Sequence, residues 1–562
     1  MKRFFSIVLS ALLAAGSLAG CSGGGDQAAS GGTSSAAEGS QASSSSAASA
    51  PAVSDKAPGE MPIVDEPITL SIFFQQEPQV LDYEDNKLTK FLEEKTNIHI
   101  EWNLVLSKDK DQKLNLLLAT GQDLPDVFMG GMTTALLVDY AGQGLFVPLN
   151  DYIDNSSKWF VEMLEDLPEV KKMITAPDGN IYGLPSINTE RPNMMPYRCW
   201  INQTWLDNLG LEMPTTTDEF KSVLEAFKTQ DPNGNGQADE IAFMGASGGW
   251  ATNPEAFLMN SFMQYHPTFR YNVVDGQVTP VFTYDEYREG LKYLNDLCQN
   301  GLLDPSSFTQ DVAQLKQIFE NPDIAILGSL VAGGPNTYSN MNGERFKEYV
   351  AVPPLKGPEG VQYAAYNPYQ YLNQAFCYVI TRDCENPEAA FRLCDLMYSE
   401  EVSMFTRLGE KGTDWVEAPE GSIGVDGEPA MYEAILVYGT DQQSHWQNRN
   451  PYYNFFGNKC VRSEDPYELQ GYLWDVMLQY EPYIPAEENC LPPIINTAEE
   501  AKEFNEITTV LYQYVDESRV KFITSGGIDE GWQAYLDELN NIGLDRAVEL
   551  TQAAYDRYME AE

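Results

Sequence analysis

Oxygen-bearing side chains recur at every second position in one short segment, Asp231-Pro232-Asn233-Gly234-Asn235-Gly236-Gln237-Ala238-Asp239-Glu240. This alternation, with glycine at the sixth position, matches the first half of an EF-hand loop, whose tight turn points several oxygens inward. Such hard ligands suit Ca²⁺ better than Mg²⁺, which retains water and requires octahedral geometry. The glutamate that closes a standard loop at its twelfth position is absent, since Ala242 stands there. The segment predicts either a shortened calcium loop or an ordinary Asp-Pro-Asn-Gly turn.

A second segment could carry nucleophilic chemistry. Gly245-Ala246-Ser247-Gly248-Gly249 matches the G-x-S-x-G nucleophile elbow of esterases, in which a serine sits between a strand and a helix. The chain holds only three histidines, and the base would be His266 or His445. Small-residue loops also produce this pattern by chance. A glycosidase would instead need two carboxylates at a defined separation, and the 83 acidic residues single out no such pair.

The N-terminus predicts export. Lys2 and Arg3 precede an apolar run, and Leu18-Ala19-Gly20-Cys21 resembles the bacterial lipoprotein signal, in which the cysteine is lipidated. The segment is too short, and wrongly flanked, for a spanning helix. Residues 22–61 are rich in Ser, Ala and Gly, a composition typical of a disordered leash. We therefore expect a lipid anchor at Cys21, with residues 1–21 as signal and lipobox.

Charge and size narrow the class of protein. The 35 basic residues against 83 acidic ones give a formal net charge of -48, which disfavours nucleic acid as a partner. The body of about 500 residues exceeds a single core and predicts more than one domain. Besides Cys21 there are seven scattered cysteines without a CxxC pair, so a zinc site is not expected.

The elements alternate along the chain. A β-rich alternation at 68–74 precedes a helix to Thr96, a strand at 98–104, a helix at 109–120 and a short strand at 125–129. This β-α-β-α-β order predicts a parallel α/β sheet, which binds ligands at the carboxyl ends of its strands. Later segments repeat the alternation, with strands expected at 197–200, 323–327 and 378–380. Helices are expected at 217–229, 284–299, 310–319, 387–398, 529–540 and 544–558.

Several short strings, in order, are similar to one family. They are Gly121-Gln122-Asp123-Leu124-Pro125-Asp126-Val127, Gly179-Asn180-Ile181-Tyr182-Gly183-Leu184-Pro185, Trp205-Leu206-Asp207-Asn208-Leu209-Gly210, Asn386-Pro387-Glu388-Ala389-Ala390 and Gly409-Glu410-Lys411-Gly412-Thr413-Asp414-Trp415. The chain resembles the extracellular solute-binding lipoproteins of carbohydrate ABC importers, family 1 type, in the large-chain branch. The resemblance runs from about residue 66 to the end.

This resemblance implies an α/β clamshell like the periplasmic binding proteins, with two discontinuous lobes and a helical C-terminal tail. Lobe one would comprise 62–196 plus 374–408, and lobe two 197–373 plus 409–562. The ligand would lie between the lobes, which would close by a hinge motion. In the calcium loop, the resemblance implies Asp231, Asn233, Asn235, the carbonyl of Gln237, Asp239 and Glu240 as ligands of a structural Ca²⁺.

A sugar site needs aromatic platforms for C–H faces and polar groups for hydroxyls. Candidates occur near the predicted strand ends, in the crossing segments and in an aromatic loop of the tail. These ligand-binding candidates are Gln75, Gln76, Arg198, Trp200, Trp250, Tyr366, Tyr369, Trp415, Trp446 and Tyr453, with Tyr452 beside the last. Each of these side chains could instead be packing.

The sequence thus favours a monomeric, membrane-anchored extracellular protein, not an enzyme, that captures a carbohydrate, expected to be an oligosaccharide. It would deliver this ligand to the transmembrane subunits of an ABC permease, on a surface that the resemblance implies is Gram-positive. The alternatives are a secreted lipoprotein hydrolase, as an esterase with Ser247 or a glycosidase, and a sugar or peptide sensor with the same fold.

Overall fold

Apolar residues on alternate positions build the strand Ile68–Gln76, whose Leu70, Ile72 and Phe74 are buried. The computed structural model describes residues 56–436 and 440–561. Cys21 and most of the 22–61 segment lie outside these residues. The strands are β1 (Ile68–Gln76), β2 (Ile98–Leu106), β3 (Val127–Met129), β4 (Leu184–Asn188), β5 (Arg198–Asn202), β6 (Ile241–Met244), β7 (Tyr271–Val274), β8 (Gln277–Pro280), β9 (Leu327–Ala332), β10 (Tyr349–Val352), β11 (Leu372–Ile380), β12 (Trp415–Glu417), β13 (Tyr432–Ala434) and β14 (Tyr453–Asn454).

The α-helices contain most of the remaining regular structure, and short 3-10 turns connect some of them. They are α1 (Lys87–Thr96), α2 (Lys110–Thr120), α3 (Thr134–Gly142), α4 (Asn150–Ser156), α5 (Trp159–Asp166), α6 (Glu169–Ile174), α7 (Gln203–Leu209), α8 (Thr217–Thr229), α9 (Pro254–Leu258), α10 (Asp285–Gln299), α11 (Val312–Phe319), α12 (Pro335–Tyr338), α13 (Pro387–Met397), α14 (Glu400–Leu408), α15 (Leu469–Tyr480), α16 (Ala498–Ser525), α17 (Ile528–Ile542) and α18 (Leu544–Glu560). None of these described helices is long and apolar enough to span a membrane.

The first sheet has the strand order β14-β4-β11-β3-β1-β2. β1 pairs in parallel with β2 and β3, which confirms the parallel unit that the sequence predicts. β11 returns antiparallel between β3 and β4, and β14 joins β4 in parallel. The carboxyl ends of β1 and β3 therefore lie at one edge, where a ligand site is expected.

Local signals set the helix ends in this first unit. Asn86 caps α1 by accepting a 3.0 Å hydrogen bond from the Leu88 N–H, and α1 ends at Asn97 in the left-handed region. The predicted stop of the next helix is also confirmed, because Gly121 ends α2 with a φ of 57°. At such an angle glycine carries no steric penalty.

The second sheet has the order β10-β5-β9-β6, with β5 antiparallel to both of its neighbours. The sequence places one of its strands at 323–327, but β9 begins only at Leu327. The Asn321 side chain accepts the Asp323 N–H at 3.1 Å, so the chain is still turning there. Gly328 weakens the strand pattern, although glycine is required where Trp205 and Phe227 pack on the backbone.

Two separate hydrophobic cores accompany the two sheets. One core packs the first sheet against helices of residues 87–174 and 387–402, and it includes Trp446. The other packs the second sheet against α8, α10 and the tail, with Trp532 and Leu539 buried in it. The molecule is thus a two-lobed α/β protein with discontinuous lobes and a helical tail. The lobe boundaries stay a prediction; Trp446 and β14, which that partition assigns to lobe two, pack with the first sheet.

The C-terminal tail lies against the second lobe. α16 runs along α10, where Asn295 Nδ2 donates to the Ile523 carbonyl at 2.8 Å, and it also contacts α3 of the first lobe. The sequence predicts α17 and α18 but misses α16. Its capping box was available as a signal, because the Thr497 and Glu500 side chains satisfy each other's backbone N–H groups. All seven described cysteines are free thiols, and six of them are buried.

Candidate functional site

A cavity of about 560 Å³ lies between the two lobes. Residues after β1 line it, together with the segments that connect the lobes, the loop at 447–452 and the start of α15. Amides are the most common polar side chains of its lining. These amides are Gln79, Asn188, Asn193, Asn336, Gln370, Asn373, Gln374, Gln447, Asn448, Asn458 and Gln470. Since an amide both donates and accepts hydrogen bonds, this lining matches a ligand that is rich in hydroxyl groups.

The turn at Gln447 and Asn448 projects into the cavity in an unusual backbone conformation. Its two residues have φ angles of 56° and 59°, in the left-handed region that non-glycine residues rarely occupy. The His445 Nδ1 accepts the Gln447 N–H at 3.1 Å and helps to hold this turn. Buried Gln447 Nε2 and Asn448 Oδ1 have no hydrogen-bond partner among the described residues. Two adjacent non-glycine residues in this region at the edge of a cavity are consistent with a ligand-binding role.

The charged residues of the cavity form two ion pairs. Arg449 Nε donates to Glu77 Oε1 at 2.8 Å, and Arg407 Nη2 lies 2.9 Å from Glu190 Oε1. Burial raises the pKa of Glu190, but the Arg407 guanidinium and the neighbouring amides outweigh this effect, so that pKa lies below its ordinary value. Glu190 is therefore held as a carboxylate, and Asn193 Nδ2 donates to it at 3.0 Å.

Trp250 forms an aromatic wall of the cavity, and the backbone at Gly333 and Gly334 supports it. A Cβ at Gly333 would lie 2.2 Å from Trp250 Cδ2, so the indole rests directly on the glycine backbone. The Gly333 N–H also donates to the Trp250 carbonyl at 2.9 Å. Glycine at 333 is thus required by the close approach of the indole.

Of the predicted ligand contacts, Trp250 lines the cavity, and so does Tyr452, the neighbour of the predicted Tyr453. The other nine of the ten predicted contacts are not among the described residues that line it. Arg198 and Trp200 are fully buried on β5: the Arg198 guanidinium donates to the carbonyls of Pro192 and Gly333, and Trp200 Nε1 to that of Ala332. Burial lowers the pKa of Arg198 to about 10. Both side chains hold the crossing segments together rather than face the cavity.

The other predicted contacts also serve packing or support. Trp446 is buried, and its ring centroid lies 4.9 Å from that of Trp102. Trp415 packs in a small core with Tyr432 and Phe456. Tyr453 Oη donates to Asp166 Oδ2 at 3.0 Å. Gln75 donates to Glu77 Oε1 at 2.8 Å and so supports the cavity indirectly. Gln76 ends β1, while Tyr366 and Tyr369 pack against the second and first core, respectively.

Sequence reasoning missed the cavity amides. A signal for them exists in two amide-rich stretches, 370–374 and 447–450, which lie beside the crossing segments. The predicted contacts are mainly aromatic residues, and most of these pack in or against the hydrophobic cores.

The predicted calcium loop forms a compact turn after α8. Asp231, in the left-handed region at a φ of 50°, accepts the Asn235 and Gly236 N–H groups at 3.0 Å. Asn233 and Asn235 both direct their amides to Asp239. The buried Glu240 Oε1 has no hydrogen-bond partner among the described residues. Within that part of the chain, no group of three or more His, Cys, Asp or Glu is arranged to hold a metal ion.

The esterase constellation does not assemble. Ser247 is exposed and its N–H donates to the Gln310 carbonyl at 2.8 Å. His266 is buried against Tyr197 and Phe269, and its Nε2 has no partner in the described residues. Throughout residues 56–436 and 440–561, no hydrogen bond joins Ser247 to His266 or His445. The base needed to activate a serine is therefore not in place.

Comparison with known proteins agrees with this fold. Residues 77–404 match the model of the bacterial extracellular solute-binding protein family. The fructooligosaccharide ABC transporter substrate-binding protein FusA of Streptococcus pneumoniae serotype 4 is 30% identical over 496 residues, which cover 85% of this chain and 88% of FusA. The structure of FusA in complex with kestose superimposes with a TM-score of 0.74 at 28% identity and covers 88% of this chain and 100% of that chain.

A further FusA structure bears on the calcium loop. It is that of a FusA EF-hand mutant in complex with fructo-nystose, with a TM-score of 0.74 and 27% identity over 88% of this chain and 100% of that one. A two-lobed α/β fold with an open cavity between the lobes defines a solute-binding clamshell. With the family match and the FusA relative together, the chain belongs to the bacterial extracellular solute-binding proteins.

Proposed function

We propose that the protein captures an oligosaccharide of the fructooligosaccharide type in the cavity between its lobes and delivers it to an ABC importer permease. The observation that carries this proposal is the amide lining, because paired donors and acceptors suit sugar hydroxyls. Trp250 supplies an apolar face for the ring C–H groups. The cavity of about 560 Å³ has the size of a small-molecule site, and the relative FusA supports the ligand class.

Contacts from both lobes would stabilise the closed form, since a ligand shifts a conformational equilibrium only by its differential affinity. The protein would bind without turnover, because no histidine is hydrogen-bonded to Ser247 among the described residues and the matching family is one of solute-binding proteins. The partners would be the transmembrane subunits of the permease, with ATP hydrolysis on other chains. A lipid on Cys21 would hold the protein at the outer face of a Gram-positive membrane as a monomer.

We also infer a structural Ca²⁺ in the 231–240 loop. Burial, together with the nearby Asp239 and Asp231 carboxylates, raises the pKa of Glu240. A cation there would offset the charge of the three carboxylates of the loop, Asp231, Asp239 and Glu240, and give Glu240 Oε1 the partner that it lacks among the described residues. Asp231, Asn233, Asn235, Asp239 and Glu240 would hold it with the Gln237 carbonyl. The Ca²⁺ would stiffen the loop that links α8 to β6.

The binding proposal is tested by isothermal titration of the full-length chain with kestose and nystose, followed by chromatography of the recovered sugar. Binding with unchanged sugar is expected. Trp250→Ala should weaken binding about tenfold, the effect of losing one aromatic contact of about 0.5–1.5 kcal/mol. Trp415→Phe serves as a matched control, because Trp415 packs outside the cavity. Absence of heat with either sugar, or appearance of hydrolysis products, would contradict the proposal.

A further inference from the structure

The cavity contains charged side chains but no net charge. Among the described residues that line the cavity, the acidic ones are Glu77 and Glu190, and the basic ones are Arg407 and Arg449. Each acid is bonded to a base, at 2.8 Å for Glu77 with Arg449 and 2.9 Å for Glu190 with Arg407. The two acids and two bases sum to zero.

Both glutamates and Arg407 are shielded from solvent, whereas Arg449 is partly exposed. Side-chain exposure is 15% for Glu77, 14% for Glu190, 12% for Arg407 and 37% for Arg449. Gln75 adds a second donor to Glu77, and Asn193 adds one to Glu190. A ligand carboxylate that recruited either arginine would leave a poorly solvated glutamate without its partner, which is strongly unfavourable.

Three neutral amide side chains at the cavity each have a polar atom without a hydrogen-bond partner among the described residues. Gln447 Nε2, Asn448 Oδ1 and Gln374 Oε1 are buried at the cavity and have no partner within residues 56–436 and 440–561. Residue Gln447 as a whole is only 9% exposed. Buried polar groups without partners are costly, so such groups at a cavity indicate a ligand that bonds them. Together they offer one donor and two acceptors, which is the requirement of hydroxyl groups.

We propose that the cavity selects uncharged oligosaccharides and rejects uronate-containing ones, with the Gln447-Asn448 turn and Gln374 reading the ligand hydroxyls. This inference rests on the proposed function and adds which ligands the cavity excludes and which residues bind the hydroxyls. The formal net charge of -48 acts in the same direction, because it repels an approaching polyanion. The left-handed turn fixes the amides in place, so the ligand does not have to order them.

The test compares two neutral trisaccharides, kestose and maltotriose, with anionic trigalacturonate, each titrated into the purified full-length chain. At least one neutral sugar should bind, and trigalacturonate should bind at least about a hundredfold more weakly. The affinity for a neutral sugar should also be the same between about 20 and 500 mM salt, since salt screens only interactions between charges. Trigalacturonate binding as tightly as the neutral sugars would overturn the inference and leave the capture function standing. If none of the three bound, the proposed function would fail and this inference with it.

Variants separate the charge balance from the amides. Glu77→Gln leaves Arg449 without its carboxylate and should raise trigalacturonate affinity about tenfold, whereas Glu77→Gln with Arg449→Gln should abolish that gain. Gln447→Ala should weaken neutral-sugar binding about tenfold, as expected for one lost hydrogen bond. Gln122→Ala, on an exposed loop, is the matched control and should not alter binding. Unchanged affinity in Gln447→Ala together with no gain in Glu77→Gln would contradict the assignment.

Discussion

Trp250 and Gly333 are in van der Waals contact across the two strand-end loops of the second lobe, and a Cβ at position 333 would lie 2.2 Å from Trp250 Cδ2. Because the indole has no room to accept that atom, Gly333→Ala should displace Trp250 from the cavity wall. We expect kestose binding to weaken about tenfold, comparable to Trp250→Ala itself. Calorimetric titration of each variant measures the effect.

The double variant makes this test specific. In Trp250→Ala the space above position 333 is free, so adding Gly333→Ala should cost little further affinity. Gly142→Ala is the matched control, because its nearest neighbour would lie 3.6 Å away. Additive losses in the double variant would show that Gly333 acts through something other than Trp250.

The calcium loop gives a stability prediction. A chelator should lower the melting temperature, since an ion that binds only the folded state stabilises it by about 2.7 kcal/mol at one hundred times its dissociation constant. Added Ca²⁺ should restore the original value more effectively than Mg²⁺. Differential scanning calorimetry measures this shift. The Asp231→Ala, Asp239→Ala double variant should no longer respond to the chelator, and an equal response of both proteins would exclude a calcium site in this loop.

Buried histidines predict a loss of stability in acid. Burial lowers the pKa of His266 to about 4 in the folded state, against an ordinary value of about 6.5. Above pH 6.5 both states are neutral at this residue, whereas between pH 6.5 and 4 only the unfolded state takes up a proton. The free energy of unfolding should therefore fall by about 1.4 kcal/mol per pH unit in this window, or roughly 3 kcal/mol in all.

Denaturant titrations at several pH values check this dependence. His266→Phe keeps a ring of similar size between Tyr197 and Phe269 and removes the titrating group. Its stability should decline less steeply from pH 6.5 to 4 than that of the unaltered chain. His445 also has a pKa lowered to about 4 by burial, so a residual slope is expected. Parallel slopes in the two proteins would refute the contribution of His266.

The elements that sequence patterns predicted well are those with local signals. The alternation of β1 acts within a few residues, and so do the Asn86 cap and the Gly121 C-cap that the structure shows at the ends of α1 and α2. The predicted position of β9, residues 323–327, is too early in the sequence. Gly328 interrupts the apolar pattern of the strand, and the Asx turn at Asn321 keeps the preceding residues out of the sheet. The family strings supplied the two-lobed arrangement, which no local signal specifies.

The cavity could not be predicted in the same way, because its residues meet only through the topology. Glu77 and Arg449 form an ion pair across 372 positions of sequence. Amides have no periodicity that marks them as ligands, whereas tryptophans on strands, such as Trp200, are conspicuous and yet face the core. Trp250 differs from them because it lies in a glycine-rich loop rather than on a strand, and it lines the cavity.

Lipidation at Cys21 can be tested directly in cells. Radiolabelled palmitate should be incorporated into the unaltered chain. The labelled protein should sediment with the membrane fraction, because two acyl chains anchor a protein stably where one does not. Cys21→Ala should abolish the label. Cys298→Ala is the matched control, since Cys298 is the half-buried thiol among the described cysteines and should not affect labelling. An uncut signal could retain Cys21→Ala at the membrane through its apolar run, so incorporation of label, rather than sedimentation alone, decides the outcome. Label retained in Cys21→Ala would refute the anchor at this position, as would its absence from the unaltered chain.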